Sequence, residues 1–276
     1  MRIRTYYWHD RIISRPRLAW RRLVGQDTGR NFVTGNAGDL FGPDIIRRRY
    51  GLPAVNDETA GKRLLVVGSI AHRAREGDVL AGPGLQSVEG QVPPSSVPLR
   101  IWGLRGPKTY DAFKAAGHDL GEVRFLLDPG LMIRFTMSGR AHAAPRGVIF
   151  IPHHRERLAH AKNMPPSIRL VDVDTTATRL GEAILGAELV YASSLHGIIF
   201  AHALNRPCVM VRPAKQAMFK YEDYFASLGL PFPAPLPTIH EADFRAAPVS
   251  PADIALREED FVFPDIATLR EAGIAR

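Results

Sequence analysis

Cysteine is all but missing. Cys208 is the one cysteine among 276 residues, so no intrachain disulfide can form and no paired-cysteine zinc site exists. It lies in Pro207-Cys208-Val209-Met210-Val211, a run that reads as a buried strand, and there it serves as a small core residue rather than a nucleophile. Long apolar runs are also lacking. The longest apolar region, Ile184 to Leu204, is broken by Glu188, His196 and His202, which excludes a bilayer span. The N-terminus is basic but holds no apolar stretch of signal-peptide length, and we read the protein as cytoplasmic. Repeats of fixed period and low-complexity tracts are absent. Negative charge is scarce at one end: residues 1–30 carry eight arginines against Asp10 and Asp27, most of the net charge of +8. Such a block suits an anionic partner, whether phosphate, nucleotide, acidic glycan or membrane surface, or else a solvated basic face.

What is present is the pattern of an α/β enzyme. Short β-branched or apolar runs recur at Ile3–Trp8, Arg63–Ser69, Val79–Leu80, Arg100–Arg105, Phe125–Leu127, Gly147–Pro152, Leu170–Val173, Glu188–Ala192 and Pro207–Val211. Helical patterns fall between them: two basic turns at 17–24, an apolar-periodic stretch from Asp39 to Ile46, Lys108–Ala116 closed by Gly117, Thr175–Leu185, Ile198–Leu204, and 218–228. The tail from 230 is proline-rich and ends in a charged helix that packs back on the body. Alternation of this kind predicts parallel sheets covered by helices. Residues 136–146 are small, polar and weakly patterned, which places a boundary between two lobes, 1–140 and 141–276.

Ligands of open parallel sheets bind at the carboxyl ends of the strands. The polar residues expected there are Asn36 and Asp39, His72, the Gly82/Gly84 turn, Arg105, Asp128, His153 and His154, Ser193 to His196, and Lys220, with Lys215 a weaker candidate. The turn Ser193-Ser194-Leu195-His196-Gly197 stands out. It follows a buried strand and opens a helix, whose first N–H groups and dipole favour an anion. Either serine can cap that helix, and Gly197 allows close backbone approach. A histidine beside a bound anion can carry a proton near neutral pH. The plainer readings are a cap and an ordinary hydrogen-bonded histidine here, turn caps at Asp39 and Asp128, and surface histidines at His72, His153 and His154. His153 and His154 point opposite ways along an extended strand and make a poor metal pair.

The run Ala192-Ser193-Ser194-Leu195-His196-Gly197-Ile198-Ile199-Phe200-Ala201, followed by Ala203-Leu204 and Pro207, resembles the signature of the polysaccharide pyruvyl transferase family. Other segments resemble it in the same order. They are Asn36-Ala37-Gly38-Asp39-Leu40, Gly68-Ser69 with Gly77-Asp78-Val79 and Gly82-Pro83-Gly84, Leu104-Arg105-Gly106-Pro107 with Thr109, Asp128-Pro129-Gly130, and Lys220 to Phe225. The resemblance covers about residues 30–230. Many members have arginine before the Leu-His pair; Ser194 is similar to the bacterial exopolysaccharide ketal-forming branch.

The resemblance implies two Rossmann-like lobes similar to GT-B-like glycosyltransferases, with an acceptor-side first lobe and a donor-side second lobe. It implies phosphoenolpyruvate as co-substrate, a saccharide acceptor that can be lipid-linked, and no metal or bound organic cofactor. Within that frame Arg105 offers the donor a planar fork and Lys220 a point charge. His196 donates a proton to the vinyl carbon, and Asp39 or Asp128 orients the acceptor or takes its proton. Asn36, Gly38, His72, Gly82, Gly84, His153, Ser193, Ser194, Leu195 and Gly197 complete the expected binding site. A nucleotide-sugar glycosyltransferase is the alternative on the same frame. A nucleic-acid-binding module using the basic N-terminus lacks any recognised motif in residues 1–30, and we expect no nucleic acid. Arg11–Arg22 with Trp20 also suits peripheral docking at the inner face of a membrane.

Overall fold

The computed structural model describes residues 1–9, 12–26, 31–59, 61–89, 91–140, 144–214, 216–242 and 254–276. Arg11, Arg30 and Lys215 lie outside the described residues.

The first half of the chain builds β1 (Ile3–Thr5), α1 (Arg15–Leu23), α2 (Phe41–Tyr50), β2 (Ala54–Asn56), β3 (Leu64–Leu65), β4 (Val79–Ala81), β5 (Arg100–Leu104), α3 (Pro107–Ala115), β6 (Phe125–Leu126) and α4 (Ile133–Thr136). Its six strands form one parallel sheet in the order β2-β1-β3-β4-β5-β6. The second half builds β7 (Val148–Ile151), α5 (Arg157–His160), β8 (Ile168–Leu170), α6 (Ala177–Leu185), β9 (Leu189–Ala192), α7 (Leu195–Ala203), β10 (Cys208–Met210), α8 (Phe219–Ser227) and α9 (Ile266–Glu271). A second parallel sheet runs β10-β9-β7-β8. The expected α/β architecture of parallel sheets with covering helices is therefore present in both halves, consistent with a two-lobed Rossmann-like arrangement.

Local chemistry explains most boundaries. Pro107 opens α3, where its missing N–H costs nothing. Thr176, Ser194 and Asp265 cap α6, α7 and α9 by accepting from the N–H groups of Arg179, Gly197 and Thr268. Gly51 ends α2 in the left-handed region at φ 66°, a conformation that suits glycine. Two strand expectations differ from what forms. The edge strand β2, with an exposed Val55, was too short and too polar to stand out. The strand expected at 170–173 lies at 168–170 instead. Val171 continues its ladder to the Phe150 carbonyl (2.9 Å), but Val173 leaves the sheet and accepts from the Ala37 N–H (2.9 Å). The apolar run was read correctly as buried; its second half crosses to the other lobe.

The two sheets share one core. A single buried cluster runs from Ile3, Phe41 and Val66 through Leu131 and Met132 to Ile151, Phe200 and Tyr224. The chain's end belongs to the first sheet. Ala275 bridges Ile3, the Arg276 N–H donates to the Arg2 carbonyl (3.0 Å), and Phe261 and Phe263 meet Phe125 edge-on or tilted. Asp174 ties the lobes near the strand ends by accepting from the N–H groups of Val33, Thr34 and Gly35 (2.8–3.0 Å).

Candidate active site

A cavity of about 230 Å³ opens where the carboxyl ends of the two sheets face each other. The first lobe contributes Tyr6 and Trp8 from beyond β1, and Asn36 and Asp39 from the turn before α2. Ser69, Ile70, His72 and Arg73 follow β3, and Gln86 follows β4. The second lobe contributes His153, His154 and Arg155 after β7, Ser194, Leu195 and His196 after β9, and Lys220 from α8. Of the residues expected from sequence, Asn36, Asp39, His72, His153, His154, Ser194, Leu195, His196 and Lys220 thus meet in one cavity.

His196 is the second residue of α7. At that position its N–H and that of Leu195 lack partners within the helix and add to the positive end of the dipole. Its side chain is only 9% exposed, and Nε2 has no hydrogen-bond partner among the described residues. The ring lies directly against Gly38: a Cβ on that glycine would stand 1.8 Å from Nδ1. On its other side, a methyl on Gly130 would reach 3.6 Å from Cδ2. The Asn-Ala-Gly-Asp turn of the first lobe and the α7 turn of the second are therefore one contact, and Gly38 is what permits it.

The electrostatics of the cavity are cationic. Lys220 is buried, 3.4 Å from His153 Nε2. Arg73 and Arg155 are exposed at the mouth, and among the described residues neither guanidinium has an ion-pair partner. Among the described residues Asp39 is the one acid in the lining. Burial raises its carboxyl to about 7, against the opposing pull of Lys220. Burial, reinforced by Arg105, lowers Lys220 to about 7. His196 is pushed down to about 3 by burial, then by Lys220 and Arg105, and is neutral at ordinary pH. His153 is driven lower still by burial and Lys220, and His72 is lowered by burial and Arg73.

Several expected residues stand behind the cavity wall. Arg105 does not present a free fork. Nε donates to Asp223 Oδ2 (3.0 Å), Nη1 to Ser69 Oγ (2.9 Å) and Nη2 to the Leu85 carbonyl, with the whole side chain buried. It acts on the site through its charge. Gly84 makes room for it, since a Cβ there would meet the guanidinium carbon at 2.2 Å. Gly82, at φ 111°, lies against the Pro129 ring, and Gly197 against Ile151. Ser193 Oγ accepts from the His153 N–H (2.8 Å) and donates to Glu156 (3.3 Å), which fixes the strand ends rather than facing the cavity. Asp128 is buried, accepts from the Gly130 N–H (2.7 Å) and caps the turn at Pro129–Met132. Burial, opposed by Arg105, raises its carboxyl to about 6, and Oδ2 has no partner among the described residues.

Sequence reasoning missed Ile70, Arg73, Gln86 and Arg155, and it read Tyr6 and Trp8 only as part of a strand. Arg155 follows the His153-His154 pair and could have been found by extending the strand-end rule one residue. Arg73 lies in a short turn beyond β3 whose direction no local pattern gives. Asp223, which accepts from Arg105 and from the Thr109 N–H (3.0 Å) and hydroxyl (2.6 Å), also went unseen because its partners are over a hundred residues away.

No helix among the described residues is long and apolar enough to cross a membrane. No group of three or more His, Cys, Asp or Glu side chains among them is placed to hold a metal ion. No solved structure matches the chain significantly. It is similar to an uncharacterized protein of Acanthamoeba polyphaga mimivirus, 28% identical over 177 residues, and the match spans 59% of this chain and 59% of that relative's length. Residues 102–214 match the family model described as polysaccharide pyruvyl transferase. That span carries most of β5, with Arg105, and the Ser194-Leu195-His196 turn, and over it the chain is similar to the polysaccharide pyruvyl transferases.

Proposed function

We propose that this protein pyruvylates a polysaccharide or its lipid-linked precursor, taking the pyruvyl group from phosphoenolpyruvate and leaving it as a ketal on two sugar hydroxyls. One observation carries the reading. A buried histidine with an unpartnered Nε2 lies in a cavity where Lys220, Arg73, Arg155 and the start of α7 converge. A donor with a phosphate and a carboxylate needs such an array of fixed cations and N–H groups.

In the reaction a proton adds to the terminal vinyl carbon. The central carbon then accepts a sugar hydroxyl, which loses its proton. Next the carbon–oxygen bond to phosphate breaks, and inorganic phosphate leaves with the electron pair. The second hydroxyl closes the ring and gives up its proton. We assign the two lining groups the reverse of the roles expected from sequence, on the strength of their environments. Asp39, raised to about 7, holds a proton near neutral pH and acts as the acid toward carbon; neutral His196 takes the hydroxyl proton. A bound anion raises both groups, which keeps Asp39 protonated. The donor sits with Lys220, Arg155 and the α7 turn of the 141–276 lobe. The acceptor lies toward Tyr6 and Trp8 of the 1–140 lobe, whose rings suit the apolar face of a sugar.

The test is phosphate release from phosphoenolpyruvate across a panel of saccharide acceptors, with His196→Ala as its partner. Loss of about 10²–10⁴-fold in kcat with donor binding retained is expected. Thermal protection by nucleotide-sugars and none by phosphoenolpyruvate would replace this reading with glycosyl transfer.

A further inference from the structure

Helix α1 carries apolar side chains on two opposite faces. Leu18, 6% exposed, is its one buried residue. Trp20 (56% exposed), Leu23 (85%) and Val24 (49%) fall together on the face pointing away from the body. Among the described residues nothing covers this stripe. Arg17 and Arg21 border it on one flank, Arg15 and Arg22 on the other, and residues 12–26 contain no acid. Arg21 donates to Asn31 Oδ1 (3.2 Å), while Arg15, Arg17 and Arg22 are exposed.

The helix is rooted at the rim of the cavity. Ile12 bridges Phe32, the Ile13 N–H donates to the Phe32 carbonyl (2.8 Å), and the Phe32 ring meets Trp8 and His154, both in the cavity lining. We infer that α1 docks the protein on a bilayer surface bearing anionic headgroups, with Trp20, Leu23 and Val24 entering the headgroup–acyl boundary and the flanking arginines on lipid phosphates. Two features select this occupant. A polyanion such as a nucleic acid would use the arginines but leave the apolar stripe in water. A second copy would set like-charged flanks against each other. An interfacial helix uses both at once. The inference stands apart from pyruvyl transfer, because it uses none of the cavity's chemistry.

The full chain is sedimented with vesicles of phosphatidylcholine alone and of phosphatidylcholine with phosphatidylglycerol, with no donor or acceptor present. Pelleting with the anionic vesicles only, weakened by salt, is expected. Arg17→Gln and Arg22→Gln should each lower the partition about fivefold. Trp20→Ser combined with Leu23→Ser should abolish pelleting without moving the melting temperature, since both side chains face solvent. Equal pelleting with neutral vesicles, full binding by the double serine variant, or a dimer that this variant dissociates would each overturn the inference. Failure here leaves the phosphate-release test of pyruvyl transfer untouched.

Discussion

Gly38→Ala tests the contact on which the site depends. The added methyl would lie 1.8 Å from His196 Nδ1, 2.1 Å from Cγ and 2.6 Å from Cβ. Ordinary carbon contacts begin near 3.5 Å, so the ring or the turn must retreat by about 1.5 Å. The ring has little room to move. Ser194 fixes the start of α7, Phe200 stacks at a tilt, and Gly130 closes the side at Cδ2. Overpacking of this kind costs about 1–3 kcal/mol. A catalytic group displaced by about 1 Å loses on the order of 10² in rate. The expected variant is folded, melts lower and has kcat reduced at least about a hundredfold. Its KM for phosphoenolpyruvate changes little, because Lys220 and Arg155 keep their places. Phosphate release and thermal melting read both halves. Gly181→Ala in α6 is the control: the nearest atoms to its Cβ are those of the Met137 side chain, in ordinary contact at 3.4 Å, and loss of a helix-interior glycine gains up to about 1 kcal/mol. Turnover near that of the unaltered protein in Gly38→Ala would refute both the importance of the contact and the placement of His196 in the reaction.

Three further outcomes follow from the same geometry. Asp223→Ala strands the buried Arg105 charge and removes the acceptor of Thr109, so stability should fall by about 3–5 kcal/mol. The melting temperature should drop by about 10 °C at roughly 2–4 °C per kcal/mol, and a change under about 2 °C would contradict it. Asp39 binds its proton more tightly folded than unfolded, so it withdraws stability as pH rises from about 4 to 7. Asp39→Asn should therefore flatten the decline in melting temperature across that window; an unchanged slope would show that the carboxyl is not raised. Arg155→Ala should weaken binding of phosphoenolpyruvate about ten- to a hundredfold, the range for a charged hydrogen bond, with kcat little altered. Calorimetric titration showing equal affinity would remove Arg155 from the donor site.

Much of the site was legible because strand ends are legible. The apolar runs around Val190 and Ile149 mark buried parallel strands, and in such sheets the residues just past the carboxyl end face the ligand. That rule found His153, Ser194, His196 and Asp39 without coordinates. It failed where the question was which of several polar residues at a strand end turns inward. Arg105 and Arg155 both follow strands and look equivalent in sequence. One is consumed by Asp223, Ser69 and the Leu85 carbonyl; the other is exposed at the cavity mouth, with no ion pair among the described residues.

The order of residues by itself determined the alternation of strands and helices, a serine cap at the start of α7, and the resemblance of the Leu195-His196 turn to a known signature. These depend on hydrophobic period and on hydrogen bonds within a few residues. Tertiary structure alone decided that Gly38 admits His196 and that Asp223 neutralises Arg105. It also decided that burial leaves the carboxyl of Asp39 near 7 and the imidazole of His196 near 3. A proton's preference depends on the charges and solvent around it, and here the fold supplies them, setting Lys220 beside Asp39 and Arg105 near His196.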